Sequence, residues 1–241
     1  MHQILLNLIH AFMEQIFSKA WEHFKEHWVF LSIVSAIGML APAALIAIPM
    51  LAFYKAFMSG AIVFDDFSSF FHTILASVGI LGTLGIIVGL IAAAGLMNAA
   101  LIITKGGKPE VRDLFLPFGT YLKGFGALLI CGILMVIGYV LCVVPGLIFT
   151  FLFALVPYEI FNNPNAGAMD AIKTSWNLMK SDWKTTLLVW LICFLINTIL
   201  ASTVIGMIPA YPFTYLAMAV LYRKLKGEYT EAAPQIEAAA Q

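Results

Sequence analysis

Charge is what this sequence has least of. Only 11% of its 241 residues are Asp, Glu, Lys or Arg, and four long stretches (29–54, 73–104, 124–158 and 185–222) hold none of these and no histidine. Soluble domains carry about 25% charged residues, so an ordinary water-soluble fold is excluded. The 13 basic and 13 acidic side chains cancel, which removes the broad positive field that attracts nucleic acid. No nucleic-acid partner is expected. Cysteine is scarce as well: Cys131, Cys142 and Cys193 lie inside apolar runs, without the CxxC or Cys/His spacing of a zinc or redox site. They read as small packing residues. Phosphate-cradling glycine loops and a Ser-His-Asp set are also missing, so no cofactor and no catalytic residues are expected.

What is present is apolar. Hydrophobic residues make up 62% of the chain and mean hydropathy is +0.96. A helix needs about 20 residues to cross a bilayer, so the first two uncharged blocks fit one long span each, at about 29–54 and 73–104. Pro42 and Pro49 are the expected kinks in the first. The third block divides at Pro145-Gly146 into spans 122–143 and 145–162. The fourth divides at Gly206, with Pro209 and Pro212 nearby, into 185–204 and 206–224. The expected fold class is therefore all-α: a polytopic membrane bundle of about six transmembrane helices, one membrane domain over 29–227, and a polar tail over 228–241.

Two segments depart from the uniform hydropathy. In 165–183, Ala168, Ile172, Trp176, Met179 and Trp183 fall on one helical stripe bordered by Lys173, Lys180 and Lys184. Rings suit the headgroup level and lysine stems snorkel towards lipid phosphate. This predicts an interfacial helix. In 1–28, Ile9, Met13, Ile16 and Ala20 mark a comparable face, and Trp21-x3-Lys25-x2-Trp28 repeats the spacing of Trp176-x3-Lys180-x2-Trp183. This segment lacks the basic start of a signal peptide, and an interfacial N-terminal helix is expected there too. The candidate anionic-lipid residues are thus Trp21, Lys25, Trp28, Lys173, Trp176, Lys180, Trp183 and Lys184. Each cation near an anionic surface contributes about 1 kcal/mol.

With the N-terminus inside, twelve of the thirteen Lys and Arg residues face the cytoplasm and only Lys55 lies outside, as short cytoplasmic loops require. The C-terminus is then inside as well. One repeat opposes this count: Asp65-x-Phe67-x2-Phe70 returns as Asp113-x-Phe115-x2-Phe118. It would face one side only if the first two blocks were hairpins of short or re-entrant helices.

Chemistry has few candidates. His23-Phe24-Lys25-Glu26-His27 spells the inverted zinc-protease pattern, but Glu14, Glu22 and Glu110, the available third ligands, have no motif around them. Asp65-Asp66 could pair as acids, yet beside Phe64 and Phe67 they read as the start of a short interfacial helix. Coupled transporters place ionisable groups inside the membrane, and none occurs here. The intramembrane polar candidates are Asn98 and Asn197, read as interhelical hydrogen-bonding groups or as the lining of a passive pore. Gly79, Gly82, Gly85 and Gly89 form a smooth face for close helix packing, in the bundle or between protomers.

Between Gly95 and Gly227, several features occur together: Lys105-Gly106 before Asp113-x-Phe115, Val144-Pro145-Gly146, Pro157-Tyr158, the Asn163-Pro164 turn, Ala171 with Ser175-Trp176 and Lys180, and Leu221-Tyr222-Arg223. In these the chain resembles the multi-helix inner-membrane proteins of bacteria, a loose group that includes the membrane domain fused to some glycerophosphodiester phosphodiesterases. The resemblance implies six membrane helices with interfacial helices between pairs, and no activity. The expected role is non-enzymatic: structural or regulatory in the bacterial inner membrane, with membrane lipids as partners beside a second copy or other membrane proteins. A passive channel or lipid/small-solute transporter is the alternative.

Overall fold

A computed structural model describes residues 2–60, 67–163, 165–200 and 202–228. The described residues are helical almost throughout: α1 (His2–Met58), α2 (Phe67–Thr104), a 3-10 turn (Val111–Leu114), α3 (Phe118–Leu141), α4 (Val143–Leu152), α5 (Val156–Asn162), α6 (Ala168–Ser181), α7 (Trp183–Leu200) and α8 (Val204–Leu225). Six helical stretches are long and apolar enough to cross a membrane: His10–Lys55, Leu81–Thr104, Val111–Leu141, Val143–Asn162, Trp183–Leu200 and Ile205–Leu225. Many large apolar side chains on α1, α3, α4 and α7 point outwards, as they do in a helix bundle whose solvent is lipid.

Helix α8 is the centre. Leu216 to Tyr222 are all buried, and α1, α2 and α7 surround it. Helix α1, with 57 residues, is about 85 Å long at 1.5 Å per residue. Its first half lies along α8, where Phe24 and Phe213 meet edge to face at 6.1 Å. Its second half lies along α2. The expected boundary at residue 28 is therefore no break in the helix. Pro42 and Pro49 are accommodated inside α1, and the hairpin alternative is not realised in this block. Glycine makes the crossing with α2 possible. A Cβ on Gly85 would come within 3.0 Å of Pro42 O, and one on Gly38 within 2.7 Å of the Ala92 Cβ. Gly85 and Gly89 of the smooth glycine face are thus packed on Pro42 of α1.

Helix breaks fall elsewhere than the prolines. In α2 the break is Gly79, whose φ of 43° and ψ of −155° suit a residue without Cβ. Between α3 and α4 it is Cys142, in extended backbone, three residues before the expected point. Pro145 sits in the first turn of α4, where a missing N–H leaves nothing unsatisfied. The 145–162 span is divided at Phe153–Leu155, between α4 and α5. In the fourth block the break precedes Thr203, the N-cap of α8, whose hydroxyl accepts from Gly206 N at 3.2 Å. Pro209 and Pro212 lie within α8. Asp65-Asp66 and the tail beyond 228 lie outside the described residues.

Candidate functional site

The two amphipathic segments have their apolar faces against protein. In α6, Ala171, Ile172, Ser175 and Met179 are buried, and Ser175 ties the helix to the α4–α5 junction by donating to Leu152 O at 2.7 Å and accepting from Leu155 N at 3.2 Å. In α1, Ile16, Ala20, Phe24 and Leu31 are buried. The stripe 168–183 is split accordingly. Met179 faces the core, Trp176 is half-buried against Phe153 at 6.3 Å, and Trp183 opens α7 rather than closing α6.

The remaining residues of the Trp–Lys set face outwards. Trp21, Lys25 and Trp28 are exposed on α1, Lys173 and Lys180 on α6, and Trp183 and Lys184 on α7. Lys180 Nζ stands 4.8 Å from the Trp176 ring centre and Lys184 Nζ 5.9 Å from that of Trp183, within cation–π range. Trp21 stacks on Phe24 at 5.8 Å, so one face of its indole is held by the bundle while it remains half exposed. The two Trp-x3-Lys-x2-Trp segments sit on different elements.

Asn98 and Asn197 each tie one element to another. Asn98 Nδ2 donates to Asp113 O at 2.8 Å, holding the 3-10 turn against α2. Asn197 Nδ2 donates to Cys193 O at 3.0 Å and to Thr214 Oγ1 at 3.1 Å, joining α7 to α8. Its Oδ1 is buried without a partner among the described residues. The His23–His27 pair is bound into its helix: His27 Nδ1 lies 3.2 Å from His23 O. With Glu26, Gly106, Gly107 and Lys108 these histidines line a cavity of about 80 Å³. Among the described residues no group of three His, Cys, Asp or Glu side chains could hold a metal.

Sequence reasoning missed one cluster. Glu159, 4% exposed, accepts from Tyr222 Oη at 2.6 Å and pairs with Lys226 Nζ at 3.0 Å. Tyr158, its neighbour, donates to Tyr215 O at 3.2 Å. Arg223 Nη1 donates to Thr104 O, and its Nη2 to Glu228 O at 2.9 Å. The ends of α2, α5 and α8 are thereby fastened together. The available signal was an acid, Glu159, set directly against a 35-residue uncharged block in a chain with so few charges.

Taken together, the described residues form an all-helical protein with six helices suited to crossing a membrane and a buried ionic cluster that joins the ends of α2, α5 and α8. No family model matches it. It is similar to uncharacterised proteins of Mycobacterium bovis and of two strains of Mycobacterium tuberculosis, at 30% identity over 141 residues, 56% of this chain and 41% of each relative. The chain thus spans about two-fifths of the length of the curated relatives it matches. No solved structure matches.

Proposed function

We propose that this is a non-enzymatic protein of the bacterial inner membrane, with both ends cytoplasmic, that organises lipid and protein partners at the cytoplasmic leaflet. The observation that carries the reading is the outward set of rings and cations on three elements: Trp21, Lys25 and Trp28 on α1, Lys173 and Lys180 on α6, and Trp183 with Lys184 on α7. The apolar faces behind them are already covered by protein, so the outward cations are left for headgroups, where lysine is drawn to anionic lipid. Lys173, Lys180 and Lys184 changed together to Gln would lower the anionic lipid that co-purifies, read by native mass spectrometry. Unchanged lipid would refute the proposal.

A passive channel is the second reading. It rests on Asn197 Oδ1, a buried acceptor without a partner among the described residues. Such an atom is satisfied if water reaches it. Solute flux in liposomes that disappears in Asn197→Leu would support a channel, and absence of flux would exclude it.

A further inference from the structure

The small cavity beside His23 and His27 and an apolar groove lie in succession along one face of α1. His23, His27, Phe30, Val34, Ile37 and Ala41 follow steps of four and three along the helix, and therefore form one stripe. The first two line the small polar cavity and the other four line the groove. The opposite wall changes in the same order. Gly106 and Lys108, in the charged segment after α2, face the polar part, while Ile91 and Val88 of α2 face the apolar part. Val111 and Phe115 close one side.

The groove has a volume of about 450 Å³. A dry apolar cavity of about 150 Å³ takes a benzene ring of six carbons, so the groove has room for roughly eighteen, the size of one acyl chain. From Phe30 to Ala41 it runs about 16 Å along α1 at the helical rise. It borders Leu81–Thr104, one of the stretches suited to crossing a membrane. The polar cavity lies beside Lys108, in the segment that also carries Lys105, Glu110 and Arg112, where a membrane protein meets water. Arg112 is engaged by Glu110 at 3.0 Å, whereas Lys108 and Glu26 make no ion pair among the described residues. The cation of Lys108 and the carboxylate of Glu26, which interacts electrostatically with His23 beside it, therefore line a single polar niche.

We propose that this cleft binds one phospholipid of the ethanolamine type, with its phosphate at Lys108, its ammonium at Glu26 and one acyl chain in the groove. Charge selects this headgroup. A glycerol headgroup would bring the phosphate without an ammonium and leave Glu26 facing net negative charge, whereas the zwitterion answers both residues. The site is separate from the lysines of α6 and α7, and goes beyond the role proposed for them.

The test is native mass spectrometry of the full chain in mild detergent, offered equal amounts of dioleoyl phosphatidylethanolamine and dioleoyl phosphatidylglycerol. The expected result is retention of one ethanolamine lipid per chain. Glu26→Gln should shift the retained ratio about tenfold towards the glycerol lipid, the worth of one charge-assisted contact, and Ala41→Trp, which fills the groove, should abolish retention of both. The Lys173, Lys180, Lys184 triple Gln variant should leave ethanolamine retention unchanged, which separates this site from the outward lysines; a loss there counts against the cleft. Equal retention of the two lipids by the unaltered chain, or a ratio that Glu26→Gln does not move, would overturn the proposal. If Ala41→Trp does not fold, an ethanolamine lipid carrying a photoactivatable acyl chain decides on the unaltered protein. Cross-links at Val34, Ile37 or Ile91 support the site, and cross-links spread evenly over the outward faces of α3 and α4 overturn it.

Discussion

Tyr222 donates its phenolic hydrogen to Glu159 Oε2 over 2.6 Å, and Lys226 Nζ reaches the same oxygen at 3.0 Å. A carboxylate this buried needs both partners, because an unpaired charge away from water is far more costly than the pair's net gain. Lys226 is less dependent on Glu159. Its side chain is 23% exposed and lies 3.7 Å from Glu228.

That asymmetry sets the order of two variants. Lys226→Met leaves a buried anion and should destabilise the protein by about 3 kcal/mol. Glu159→Gln keeps an acceptor for Tyr222 and releases a lysine that has another partner, so about 1 kcal/mol is expected. Thermal unfolding in detergent would show the larger loss for Lys226→Met. The reverse order would mean that the cation, not the carboxylate, depends on the pair.

The 3-10 turn lies so close to α2 that a Cβ on Gly95 would stand 2.6 Å from Leu114 O. Backbone cannot yield as a flexible side-chain tip does, so Gly95→Val should displace the turn and break the Asn98–Asp113 hydrogen bond, at about 1–3 kcal/mol. Asn98→Leu removes the bond while leaving the close approach intact, and should cost less. Trypsin cleavage at Lys105 and Arg112 should accelerate in both variants, more in Gly95→Val.

Asn197 should tolerate an apolar replacement better than its two hydrogen bonds suggest. Asn197→Leu loses contacts worth about 0.6 kcal/mol each within a membrane bundle, but it also removes the unsatisfied Oδ1, whose burial is itself unfavourable. A change in unfolding midpoint of only a few degrees is expected. A large loss would show that Oδ1 has a partner, such as an ordered water.

The parts of this architecture readable from residue order are those that depend on composition. Four uncharged blocks of sufficient length are enough to require about six spans, since neither a charge nor an open backbone is tolerated in hydrocarbon. The helix breaks were not readable from proline. Pro42, Pro209 and Pro212 are absorbed within helices, and Cys142 and Thr203, which carry no breaker signal, mark the ends instead. An amphipathic stripe does not name its own partner. A stripe such as Ile172–Met179 is equally satisfied by lipid or by protein, and only the packing of α3, α4, α5 and α8 against α6 selects protein. The Glu159 cluster escaped because it joins residues more than sixty positions apart. The polar niche at His23 and His27 drew notice as a metal pattern, while its complement, Lys108, lay in a loop.

Binding of headgroups at the cytoplasmic leaflet requires the outward lysines to share one side of the membrane. Single cysteines at Lys25, Lys173 and Lys184, and one at Lys55 as the opposite-side control, would be introduced into a chain whose exposed Cys142 is replaced by Ser. An impermeant maleimide would then be applied to intact spheroplasts and to inside-out vesicles. The expected result is labelling at 25, 173 and 184 from the cytoplasmic face alone, and at 55 from the opposite face alone. Labelling of 25 and 173 from opposite faces would contradict it.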